Sequence, residues 1–112
     1  MTQQTEEESP IRALLGDVAP RLADLTEEVV VDQLWEHEGG ISKRDRSFMT
    51  VATLTALYRT EQLRAHIGMA LENGVTREEI GEIITHMAAY AGWPCAVNAA
   101  IVAGEVYEEL DG

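Results

Sequence analysis

Cysteine occurs once in the 112 residues, as Cys95, so no internal disulfide is available and a disulfide-stapled scaffold is excluded. Basic residues are also scarce. Eight Lys and Arg against 20 Asp and Glu leave a net charge of −12, which opposes binding to a phosphate backbone or an anionic bilayer. No apolar run reaches the roughly 18 residues of a membrane helix, and no charged-then-apolar leader opens the chain. A cytoplasmic protein with neither nucleic-acid nor membrane partners is expected. His37, His66 and His86 stand 29 and 20 residues apart, with no HxxxH or Cys/His cluster, and neither a P-loop nor a GxGxxG after a strand occurs. No metal or nucleotide site is therefore expected.

What is present is ordinary globular sequence, 46% apolar and 25% charged, and its length suits one domain of roughly 100 to 200 residues. Residues 1 to 9, MTQQTEEES, carry nothing that burial would reward, which predicts a flexible acidic arm before a domain spanning 10–112. Pro10, Gly16, Pro20, Gly39-Gly40, Gly74, Gly92 and Pro94 punctuate the remainder, and the stretches between them have helical rather than alternating periodicity. The spacing predicts an all-α helical bundle. A first helical region covers Ile11 to His37, interrupted near Pro20, with Thr26 and two glutamates after it as a possible start. Ser42-Lys-Arg-Asp45 fits a capping box ahead of a central, apolar helix from Phe48 to Tyr58. Thr60 is positioned to cap a helix to Asn73 that Gly74 closes. Thr76-Arg-Glu-Glu79 is a second capping box, opening a helix with Ile80, Ile83, Ile84, Met87 and Ala91 on one stripe. Pro94 suits the first turn of a last helix to about Leu110, with Val97, Ala100, Ile101 and Gly104 aligned. Short connections predict a hairpin of residues 60 to 91.

Three groups of residues have chemical potential. At about 100° per residue, Arg59, Gln62 and His66 share one polar seam beside the Leu63, Ile67 and Ala70 stripe, and an imidazole there suits general acid–base work. An ordinary buried histidine would occupy the same place. His86 and Tyr90, one turn apart with Glu82 a turn earlier, form a second pair at the margin of the buried stripe, equally readable as a surface ion pair and a core tyrosine. Cys95 follows Pro94 at a helix start, where a dipole can activate a thiol, although a small packed residue is the simpler reading.

The runs LWEHEGGISKRDRSFMTVATL and RTEQLRAHIGMALENGVTREEIGEIITHMAAYAGWP resemble the carboxymuconolactone decarboxylase family, within the alkylhydroperoxidase D-like group. The resemblance extends over about Leu34 to Leu110. It is carried by Ser42-x-Arg44-Asp45-Arg46-Ser47, the seam ending in His66, Asn73-Gly74-Val75-Thr76, and Tyr90-Ala91-Gly92-x-Pro94. It implies an all-α fold with a central helical hairpin that self-associates into trimers or hexamers, with no cofactor or metal. It also implies decarboxylation of a small lactone acid or related carboxylate, with His66, Arg59 and Tyr90 catalytic and Arg46, Gln62, His86, Trp93 and Cys95 binding substrate. The redox branch of the group has cysteines at the positions of Arg59 and Gln62, so a CxxC peroxide-reducing cycle has no dithiol here. Family decarboxylases often have Glu where Gln62 stands. A peroxiredoxin-like or other oxidoreductase of the alkylhydroperoxidase D-like group, or a non-catalytic oligomeric small-molecule-binding protein, are the alternative readings.

Overall fold

A computed structural model describes residues 9–112, all of the regular structure in it helical. Two units are distinct along the chain, residues up to Gly40 and Ile41–Gly112. Most of the expected N-terminal arm, residues 1 to 8, lies outside the described residues, whereas Ser9 caps α1 (Pro10–Leu15), its Oγ accepting from the Arg12 N–H at 3.0 Å. α2 (Pro20–Leu25) starts at its proline and runs straight into a π-helical segment, Thr26–Trp35. Thr26 therefore starts nothing: its hydroxyl donates back to the Leu22 carbonyl at 2.7 Å, inside continuous helix. Arg12 ties this unit together by reaching both Asp24 and Glu27 at 2.7 Å.

The second unit holds α3 (Lys43–Ala56), α4 (Thr60–Glu72), α5 (Arg77–Ala91) and α6 (Trp93–Asp111). Ser42 Oγ accepts from the Asp45 N–H, and the full reciprocal box forms at Thr76 and Glu79, where the longer acid reaches back. Around the bundle the neighbours run α3, α4, α6, α5, so the hairpins are α3–α4 and α5–α6, while α4 and α5 stand on a diagonal. This corrects the expected pairing of residues 60 to 91: a short turn joins α4 and α5, but each buries its stripe against α3 and α6 instead. α3 is central as expected, touching all three companions and burying Ser47, Val51 and Thr55. Leu63 and Ile67 of α4 and Ile80 of α5 complete the innermost layer.

The last helix buries Ala96, Ala99, Val102, Ala103 and Val106. The aligned Val97 and Ile101 face outward, 49% and 56% exposed, because small alanines permit closer helix approach than the branched side chains one step round.

The turns show where backbone chemistry sets geometry. α4 ends with Gly74 at φ 98°, its N–H on the Leu71 carbonyl at 3.1 Å and the Val75 N–H on the Ala70 carbonyl at 2.9 Å, a Schellman closure. α3 ends the same way one residue before Arg59, with Tyr58 at φ 63° where glycine is usual. Thr60 is thus the first residue of α4 rather than its cap. Because a non-glycine residue in this region costs about 1–2 kcal/mol and the Tyr58 side chain is 56% exposed, Tyr58→Gly is expected to stabilise the protein, by about 0.5–1 kcal/mol after the added backbone entropy. A thermal melt with a lower midpoint than the parent would contradict this.

Candidate functional site

The candidate residues fall into two places on the second unit. On the first, Asn73 Nδ2 donates to Ser47 Oγ at 3.0 Å and fixes the antiparallel register of α3 and α4. Seven residues are nearly two turns and about 10.5 Å of helix, so stepping from Ser47 to Leu54 and from Asn73 to His66 stays on the facing sides. His66 consequently stands level with Leu54, which packs on the core. Burial there lowers the imidazole pKa below its ordinary 6.5. The neutral ring is the form at pH 7, and since the unfolded chain binds the proton first, acidification from about 6.5 down through the folded-state pKa removes stability.

Two arginines stand toward opposite ends of the α3–α4 pair, each roughly 10–12 Å of helix from the histidine level. Arg59, exposed, is the non-helical residue that precedes α4, seven residues before the histidine, and the exposed Gln62 lies in the first turn of the helix. Arg46 lies about 200° round α3 from Phe48 and so on the side away from α5; its Nε is buried and has no hydrogen-bond acceptor among the described residues. A buried donor of this kind is costly unless an acceptor reaches it. By helical spacing Glu61 lies about 140° round α4 from His66.

The second place is a cleft of about 450 Å³ between α3 and α5, lined by Phe48, Ala52, Glu79, Glu82, Ile83, His86 and Met87. The sequence singles out only His86 and, as its neighbour, Glu82; the others join the cleft because α5 packs on α3, which local periodicity does not disclose. Tyr90 stacks on His86 with ring centroids 4.9 Å apart and a 30° tilt, but at 77% exposed it is outside the cleft, as is Trp93 at 69%. None of Arg59, Gln62 and His66 lines it. With α4 and α5 on a diagonal, the Arg59, Gln62 and His66 set and the His86 and Tyr90 pair stand on helices that are not neighbours.

Arg44 closes one edge of the cleft, its guanidinium 5.0 Å from the Phe48 ring centre, bonded to Glu79, and donating from Nε to the Gly74 carbonyl at 3.2 Å. The Thr76 backbone N–H and then Arg44 hold the Glu79 carboxyl below the usual carboxylate range. Cys95, half-buried in the first turn of α6, directs its thiol toward the Ala56 carbonyl at 3.8 Å, a weak bond in keeping with a packed small residue. Among the described residues no three His, Cys, Asp or Glu side chains converge as metal ligands would.

Residues 20–105 match the model of the carboxymuconolactone decarboxylase family. Over 78 residues the chain is 38% identical to 4-carboxymuconolactone decarboxylase of Acinetobacter baylyi, covering 70% of this chain and 58% of that protein. It is 28% identical over 87 residues to nitrosuccinic acid decarboxylase npaB of Metarhizium robertsii, covering 75% of this chain and 61% of the relative. An uncharacterized 15.0 kDa protein of Paracoccus denitrificans is 32% identical over 74 residues, 64% of this chain and 55% of its own length. The chain thus spans a little over half the length of the curated relatives it matches. A match to the family model across this much of the chain, in a helical structure of the expected class, places the protein in the carboxymuconolactone decarboxylase family.

Proposed function

We propose that the protein is a cofactor-independent carboxy-lyase that decarboxylates a small lactone acid or related carboxylate on the α3–α4 seam. One observation carries the placement: His66 is half-buried on α4, and that burial holds its imidazole pKa below the ordinary value. The relatives named as decarboxylases, one of a carboxylated lactone and one of nitrosuccinic acid, support the reaction class. Arg59 or Arg46 orients the carboxylate by charge-assisted hydrogen bonds. The carbon–carbon bond breaks with its electron pair moving into an adjacent carbonyl, and carbon dioxide leaves. The imidazole, neutral at rest, takes a proton from water and passes it from the ring nitrogen to the enolate carbon, and the hydroxide left behind joins carbon dioxide as bicarbonate. Gln62 offers an amide where family decarboxylases often have a carboxyl, so it orients rather than titrates.

Tyr90 and Trp93, together with Val97 and Ile101, leave an apolar surface on α5 and α6 that self-association into a trimer or hexamer accounts for. Light scattering that returned the mass of one chain would contradict that part.

The seam is tested by proton NMR of the three histidines, His37, His66 and His86, during titration with succinate. The His66 ring signals are expected to move saturably while those of His86 stay in place. Movement of His86 with an unmoved His66 would place the anion site in the cleft instead.

A further inference from the structure

The α3–α5 cleft differs in every respect from the seam. Its floor and walls are Phe48, Ala52, Ile83 and Met87, and its volume of about 450 Å³ is in the range of small-molecule sites. Its polar members are two carboxylates, Glu79 and Glu82, and the His86 imidazole. Arg44, the cation at its edge among the described residues, is already engaged by Glu79 and the Gly74 carbonyl. That leaves Glu82, which takes part in none of the ion pairs among the described residues. Arg44 also shows what the cleft tolerates, because its guanidinium lies over Phe48 while bonded to a carboxylate, the arrangement an aromatic ring and an acid offer any cation.

We infer that this cleft is a second binding site, for a small amine with an apolar body, whose ammonium group pairs with Glu82 beside His86 while its hydrocarbon part lies on Phe48, Ala52, Ile83 and Met87. The amine follows from charge and shape together. An anion would enter against two carboxylates in a chain of net charge −12, and a neutral apolar molecule would leave the exposed Glu82 without a partner. Tyr90 stacked on His86 holds the imidazole at the rim, where its acceptor nitrogen is available to a second ammonium hydrogen. The assignment is independent of the decarboxylase reading, since no residue is shared with the seam.

The full chain labelled with carbon-13 at the methionine methyls gives a direct readout, because Met87 lines the cleft whereas Met49 and Met69 lie elsewhere on α3 and α4. Titration with 2-phenylethylamine is expected to move the Met87 signal saturably and leave those of Met49 and Met69 in place. Glu82→Gln should weaken the amine about fivefold, since the lost pair is near the surface. Glu82 is chosen because Glu79 also completes the helix cap. Ala52→Leu, which fills the cleft with a good helix former, should abolish the Met87 shift. Equal or tighter binding of 2-phenylethanol or 3-phenylpropionate overturns the proposal, as does an unmoved Met87 with millimolar amine. If Ala52→Leu lowers helicity, Glu82→Gln decides alone, and unchanged amine affinity in that variant overturns the assignment.

Discussion

Replacing His66 by alanine is expected to lower the rate of carbon dioxide release by about 100-fold or more while leaving helicity and assembly intact. The size follows from what the side chain does. A general acid–base group contributes two to four orders of magnitude, the loss expected when the half-buried imidazole is removed. The helix itself should tolerate the change, because alanine is the best helix former and His66 is outside the fully buried layer of Leu63 and Ile67. Turnover within threefold of the parent would return His66 to the role of an ordinary packed histidine.

Ile67→Ala is expected to carry the largest stability cost, about 2–5 kcal/mol. Ile67 is 0% exposed and belongs to the core that α3, α5 and α6 share with α4, so truncation opens a void that fixed helices on three sides cannot close. The check is urea unfolding at fixed protein concentration, with a lower midpoint and an unchanged slope. A cost below about 1 kcal/mol would mean that the α4 stripe packs loosely, and the register argument that places His66 beside Leu54 would fail with it.

Much of the fold is legible in short range. Thr76 and Glu79, Gly74, and the Ile80, Ile83 and Ile84 stripe each state their role within a turn or two of helix, and each is found in that role. The readings that change share a different property. Thr26 and Thr60 look like caps because threonine is a cap former, but Thr26 sits inside continuous helix, and the turn before Thr60 is made by Tyr58, a residue with no local signal for φ 63°. Val97 and Ile101 are the bulkier side chains of α6, yet alanines face the bundle, since spacing between helices selects size as well as polarity. Partner choice is the least legible of all. A short turn between α4 and α5 suggests neighbours, and only the competition of four stripes for one core puts them on a diagonal. The seam could therefore be read from α4 alone as far as Arg59, Gln62 and His66. Arg46 joins it through the α3–α4 register, and the cleft around His86 arises entirely from packing of α3 on α5.

The central claim is decarboxylation, and its most direct measurement is carbon dioxide release from a panel of carboxylated lactones and short carboxylic acids labelled at the carboxyl carbon, with no metal or cofactor added. Labelled carbon dioxide should appear from at least one member at a rate proportional to protein concentration, and Arg46→Ala should raise the Michaelis constant for that substrate if the guanidinium orients its carboxylate. Binding of a carboxylate to the seam with no carbon dioxide from any member would contradict the account and leave the protein a binder on a decarboxylase fold.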